Sequence, residues 1–188
     1  MKKQITLATL FSLFSSMAIA HPGHGLGNAY AGFMHPLTGW DHLMVMLAIG
    51  FWAAKLGGKA RWQLPATFIV IMTIGAALGF LGLNLPSVEM AVTASVMAMG
   101  VLLMISLPIN KVMQLSLTAV FALFHGLAHG VELQSQSNFA ILGGMLFATT
   151  MLHGVGFMMA SQRIKIGCWI NNSFAWLLVL AGSYLLLS

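Results

Sequence analysis

Two short stretches of this chain concentrate the side chains that can bind a metal ion or move a proton. The first, HPLTGWDHLMVM, places His35, Asp41 and His42 at the start of an apolar segment. The second, FHGLAHGVE, spaces His125 and His129 four residues apart. Residues at that spacing share one face of a helix, as two metal ligands on one helix must. Because imidazole and carboxylate together suit a borderline divalent transition metal, both stretches predict a metal site.

Only three acidic residues occur in the chain, and two of them lie in these stretches. Asp41 precedes His42 directly, so on a helix of 3.6 residues per turn their side chains point about 100° apart. One of them can then bind an ion while the other orients it or relays a proton. Glu132 continues the stripe of the second stretch. The candidate metal residues are therefore His35, Asp41, His42, His125, His129 and Glu132.

The composition indicates an all-α integral membrane protein. Of 188 residues, 59% are hydrophobic and only 6% are charged, whereas soluble domains carry about a quarter charged residues. The apolar segments are continuous rather than alternating, which disfavours a membrane barrel. Ionisable groups inside a bilayer are costly, so the polar stretches are expected to be functional. A single cysteine, Cys168, excludes an internal disulfide and a cysteine-based zinc site.

The first twenty residues predict a cleavable signal peptide, because two lysines, a short apolar stretch and the Ala18-Ile19-Ala20 cleavage pattern follow one another. The alternative interpretation is an uncleaved first transmembrane helix. Residues 21–36 are assigned to a His-rich periplasmic N-terminal segment. Its His21 and His24 could capture a metal ion, although they could equally belong to an unstructured tail.

Residues 37–188 are predicted to form a six-helix transmembrane domain, since each apolar segment is near the ~20 residues that cross a bilayer. The expected spans are Leu37–Leu56, Leu64–Leu83, Val88–Leu107, Val112–Val131, Phe139–Ala160 and Trp169–Leu187. Pro36 favours a helix start, which places His35 on the entry turn. Short connections predict that consecutive helices are antiparallel.

Small residues indicate how these helices associate. The pairs Gly75-x-x-x-Gly79 and Gly126-x-x-x-Gly130 are small-xxx-small motifs, which let helix backbones approach closely. The second motif also brings its flanking polar residues close to a neighbouring helix.

Basic residues predict the topology. All basic residues after the signal peptide fall in alternate loops: Lys55, Lys59, Arg61, Lys111, Arg163 and Lys165. The positive-inside rule then places both termini in the periplasm of a bacterial inner membrane. No basic stripe with interleaved aromatic residues is present, so nucleic-acid binding is disfavoured.

This topology places the acidic residues and most histidines at the outer ends of the helices. Glu89 joins the candidates there as a further capture residue, together with His21 and His24. His153 lies deeper, so the pattern resembles an entry site followed by a relay. The alternative for His153 is a purely structural hydrogen bond between helices.

Enzyme motifs are missing from the sequence. It contains no H-E-x-x-H motif, no G-x-S-x-G nucleophile elbow and no P-loop. We therefore expect neither an enzyme nor a user of ATP, and no tightly bound cofactor.

The motifs HPLTGWDH with Met46, FHGLAHGVE and His153-Gly154 resemble those of the HupE/UreJ family of hydrogenase- and urease-associated membrane proteins. The resemblance spans nearly the whole chain. It implies a nickel permease, in some members a cobalt permease, that feeds metalloenzyme assembly. The six candidate metal residues become candidate transport residues by this resemblance. The H-x5-D-H spacing is also one residue longer than the H-x4-D-H motif of nickel/cobalt transporters, which supports the chemistry without implying a shared fold.

Three functions follow as hypotheses. The first is a secondary permease that imports Ni(II), or Co(II), as its substrate across the lipid bilayer. The second is a non-transporting accessory protein that holds metal and delivers it to metalloenzyme maturation proteins. The third is a structural subunit whose histidines link helices. Raw affinity in the Irving–Williams order favours Cu(II), so a choice of Ni(II) or Co(II) depends on the geometry of the site.

Overall fold

The computed structural model describes residues 26–105, 109–134, 139–161 and 168–187, and over these residues every regular element is an α-helix. The seven helices of this part are α1 (Leu26–Thr38), α2 (Trp40–Leu56), α3 (Ala60–Phe80), α4 (Val88–Ile105), α5 (Lys111–Gln134), α6 (Phe139–Ala160) and α7 (Cys168–Leu187). The all-α prediction is confirmed. The predicted signal peptide, His21, His24 and the loop with Arg163 and Lys165 lie outside the described residues.

Membrane-spanning character is concentrated in α3, α4, α5 and α6, which are the four described helices that are individually long and apolar enough to cross a bilayer. Asn28–Thr38 of α1 and the whole of α2 satisfy the same test together, as a pair bent by 80°. In α7 the apolar stretch Asn171–Leu187 is shorter. The chain is therefore a helical membrane protein, while the count of six spans and the periplasmic termini stay predictions.

The prediction that Pro36 starts a helix was wrong. Pro36 lies inside α1, two residues before the helix ends, and the next helix begins only at Trp40. Between them Gly39 has an extended backbone. Pro36 has no N–H to donate to the carbonyl oxygen one turn earlier, and a proline inside a helix kinks or ends it, so α1 stops two residues later. The predicted span Leu37–Leu56 is thus broken, and His35 lies at the end of a helix that was not expected.

Glycines form the contact between α3 and α5, as the two small-xxx-small motifs predicted. A Cβ atom on Gly75 would lie 3.1 Å from the Cα of Gly126, and one on Gly79 would lie 3.0 Å from the Cα of Gly130. Residue numbers rise together along both helices, so α3 and α5 run in the same direction. This direction agrees with the alternation expected for consecutive antiparallel helices.

A second close approach joins α2 to α6. A Cβ atom on Gly50 would clash with the carbonyl oxygen of His153, and one on Gly156 would clash with that of Leu47. Helices α4 and α7 also meet at glycines. These contacts leave little freedom for α6 to slide along α2, so they fix the depth of His153 relative to the side chains of α2.

Replacing Gly75 by valine should loosen the α3–α5 contact, because even a methyl group there would lie 2.6 Å from the carbonyl oxygen of Leu123. Overpacking of this kind costs about 1–3 kcal/mol. We expect a lower melting temperature for the detergent-solubilised protein, measured as loss of the monodisperse size-exclusion peak after heating. Gly143→Val is the matched control, since an added Cβ there would meet nothing within 4 Å. Equal melting temperatures for the two variants would contradict this assignment.

Candidate metal centre

Imidazoles from three helices converge where α1 meets α2. His35 of α1, His42 of α2 and His129 of α5 each offer a ring nitrogen, and these three atoms lie within 4.8 Å of one another. The ring centroid of His129 is 4.5 Å from that of His42 and 5.0 Å from that of His35. The 80° bend between the two helices brings His35 over His42. We call these three residues and His125 the histidine cluster.

His125 lies one turn before His129 on α5 and is fully buried. Its ring centroid lies 5.0 Å from that of His42. Its Nδ1 is 2.9 Å from the carbonyl oxygen of Phe121. Since a carbonyl can only accept, Nδ1 donates the hydrogen, and the lone pair of a neutral ring is then on Nε2. That tautomer leaves Nε2 available as a metal ligand.

Asp41 holds the ring of His42. One carboxylate oxygen, Oδ1, lies 2.7 Å from Nδ1 of His42 and also accepts the backbone N–H of that residue at 2.7 Å. The hydrogen bond assigns the proton to Nδ1 and the lone pair to Nε2, as carboxylates do beside metal-binding histidines. This geometry fits the hypothesis that one of the two adjacent side chains orients the other.

Glu132 connects two further members of the cluster. Its Oε2 lies 3.0 Å from Nε2 of His35 and 3.6 Å from Nδ1 of His129. The first distance allows a hydrogen bond, and the second is an electrostatic contact only. The carboxylate is about half exposed, so it can exchange one of these partners for a cation that enters from outside the cluster.

Several buried ring nitrogens of the cluster have no hydrogen-bond partner among the described residues. They are Nε2 of His42, Nε2 of His125 and both ring nitrogens of His129. A buried polar atom without a partner costs about 1–3 kcal/mol. Nitrogen lone pairs that are brought together without hydrogen-bond partners are suitable ligands for metals that bind imidazole, such as nickel, copper and zinc. The residues present therefore fit a divalent transition metal.

A pocket of about 790 Å³ leads to the cluster. Asp41, Glu89 and Glu132 line it, and these are all the acidic residues of the chain. Among the described residues no lysine or arginine lines it. A cleft lined by one sign of charge raises the local concentration of counter-ions. The structure places Glu89 on the wall of this pocket and not in the group of three converging imidazoles.

His153 lies apart from the histidine cluster. Its side chain is 3% exposed, and its ring packs edge-on against Phe68, with centroids 5.1 Å apart. Phe68 also contacts His125 at 5.7 Å, so one aromatic ring packs against both imidazoles. Sequence analysis missed Phe68, because a phenylalanine in an apolar helix carries no signal beyond packing. The metal-binding roles of all these residues stay predictions.

Comparison with known proteins agrees with the motifs. The family model described as HupE / UreJ protein matches residues 9–185. The chain is 39% identical over 183 residues to Protein HupE of Rhizobium leguminosarum bv. viciae. The aligned region covers 96% of this chain and 95% of that protein. No solved structure is significantly similar to the chain. The chain therefore belongs to the HupE/UreJ family of hydrogenase- and urease-associated membrane proteins.

Proposed function

We propose that this protein is a secondary permease that imports Ni(II), with Co(II) as a second substrate, across the bacterial inner membrane. The observation that carries the proposal is the convergence of four imidazoles and two carboxylates at one end of an apolar helical bundle. Membership of a family associated with hydrogenase and urease supports it, because the resemblance to this family implies a nickel permease that feeds metalloenzyme assembly. The imported ion would serve the maturation of such a metalloenzyme.

Capture begins in the acidic pocket. Glu89 and Glu132, which both line the pocket, attract a hydrated cation. The ion then exchanges water for imidazole nitrogens of the histidine cluster, with Asp41 orienting His42 for that exchange. Imidazole and carboxylate groups suffice as ligands for nickel and cobalt, whereas thiolate ligands favour zinc or copper(I).

The charge distribution along the helices favours inward movement. The acidic residues lie at the start of α2, the start of α4 and the end of α5. Basic residues lie at the opposite ends: Lys55 in the last turn of α2, Arg61 in the first turn of α3 and Lys111 at the start of α5. The positive-inside rule then orients the acidic end outward. An inside-negative potential supplies about 2.3 kcal/mol per charge per 100 mV, and twice that for a divalent ion.

An accessory metal-binding protein is the second candidate. It is favoured by the open pocket, through which an ion could enter and leave on the same side. Such a protein would bind metal and hand it to a maturation protein without moving it across the bilayer. A measurement of metal flux across the bilayer therefore distinguishes the permease from the accessory protein.

Proteoliposomes containing only this protein should accumulate nickel when the potential is negative inside. His42→Ala should abolish accumulation, because it removes the ring that contacts each other member of the cluster. Asp41→Asn should reduce it by about 10- to 100-fold, as expected when a group that orients a metal-binding histidine is lost. Radioactive nickel uptake measures both, with unlabelled cobalt and zinc as competitors.

Insertion of each variant is checked by its size-exclusion profile. The control is Tyr30→Phe, an exposed side chain of α1 outside the pocket. Saturable binding without uptake in the wild-type protein would support the accessory function instead. Wild-type uptake in both His42→Ala and Asp41→Asn would refute the assigned site.

Acid should inhibit uptake at constant potential. Only a neutral imidazole binds metal, so protons compete with nickel for the ring nitrogens, and uptake at about pH 5.5 should be lower than at about pH 7.5. The effect should appear mainly as a higher KM for nickel, because protons and metal compete for the same nitrogens. Uptake that rises in acid would contradict this competition.

A further inference from the structure

We infer that Met46, Thr149 and His153 form a second binding station for the same class of divalent transition-metal ion, deeper in the bundle than the histidine cluster. We call these three residues the inner station. The inference rests on the proposed function only for the direction in which an ion would pass from one to the other. Binding at the inner station is a separate property of the chain.

Met46 of α2 and Thr149 of α6 meet at the contact between their helices. Met46 lies one turn beyond His42 on α2, and its side chain is fully buried. The hydroxyl of Thr149, on α6, donates to the sulfur of Met46 at 3.3 Å and is also fully buried. The hydroxyl oxygen keeps its lone pairs, and the thioether sulfur keeps one, for a cation. A polar contact between helices in this position aligns two weak ligands.

His153 supplies the strong ligand. It lies one turn beyond Thr149 on α6, so the two side chains share a helix face. Neither of its ring nitrogens has a hydrogen-bond partner among the described residues, although the side chain is only 3% exposed. A purely structural histidine between helices would use at least one nitrogen in a hydrogen bond. The contact of Gly50 with the backbone of His153 holds this part of α6 against α2, the helix that carries Met46.

Phe68 makes the inner station distinct from the histidine cluster. Its fully buried ring contacts both His125 and His153, in edge-on contacts of 5.7 Å and 5.1 Å. His153 is not among the described imidazoles whose ring nitrogens converge, and the ring that it packs against offers no ligand. A cation would pass it in a step, as at a hydrophobic constriction in a channel.

Ligand chemistry makes the two stations unequal. The histidine cluster has carboxylates next to its imidazoles, whereas the inner station offers a thioether, a hydroxyl and one imidazole, all neutral. A divalent ion is held less strongly without carboxylates, so the inner station binds the same metal more weakly. Passage through sites in succession requires binding that is favourable enough for entry and weak enough for release.

The test is nickel binding by the full chain in detergent, with NiCl₂ alone as the probe. Equilibrium titration should give two ions per chain, one bound more weakly, and X-ray absorption of the doubly loaded protein should show a sulfur neighbour of nickel. Met46→Leu should lose the sulfur signal and the weaker ion, and His153→Gln should lose the weaker ion. Both should keep the tighter ion. Met99→Leu, an equally buried methionine on α4, is the matched control and should keep both ions and the sulfur signal.

A wild-type protein that binds one nickel ion, or a sulfur signal that persists in Met46→Leu, would overturn the inference. The wild-type spectrum decides even where a variant fails to fold. Uptake measured on the same preparations keeps the two proposals apart. Two bound ions without uptake would support the inner station and contradict the permease function. Uptake with only one bound ion would support the permease function and contradict the inner station.

Discussion

Close approach of helix backbones at glycines is the interaction on which the rest of this structure depends. On α5, Gly126 follows His125 and Gly130 follows His129, so glycines and histidines occupy adjacent faces of one helix. The glycine face packs against α3, which turns the histidine face towards α1 and α2. In lipid, where apolar side chains gain little from leaving the solvent, such contacts supply much of the packing energy. They also set the distances between ring nitrogens on different helices.

That packing allows a polar cluster to exist in an apolar bundle at a limited energetic cost. Two of its histidines are paired with carboxylates, Asp41 with His42 and Glu132 with His35, and charge-assisted hydrogen bonds of this kind are the stronger ones. The ring of His125 is held by a backbone carbonyl. Each pairing uses one side of a ring, so the helices orient the imidazoles while the remaining nitrogens face one another. A cluster built this way is organised before any ion arrives.

The sequence predicted the parts of this arrangement that follow from spacing along one helix. The bounds of α6 agree with the predicted span Phe139–Ala160, and the faces of α5 follow from the i, i+4 spacing of its histidines and glycines. The break at Gly39 could not be predicted, because a proline fits the first turn of a helix and also ends a helix that precedes it. Phe68 could not be identified either. Its role depends on which helices pack around it, and its own helix offers a uniformly apolar pattern.

The basic end of the bundle raises an electrostatic question for any cation that leaves there. Lys55, in the last turn of α2, would repel a divalent ion if its ammonium group pointed into the path. Instead its Nζ donates to the carbonyl oxygen of Leu103, 3.4 Å away near the C-terminus of α4. Carbonyl groups at a helix C-terminus carry partial negative charge and interact favourably with a lysine. The ammonium group is thus drawn towards α4, whereas His153 and Met46 lie at the contact of α2 with α6. The positive charge of Lys55, which favours the predicted orientation of the protein, is therefore held away from the inner station.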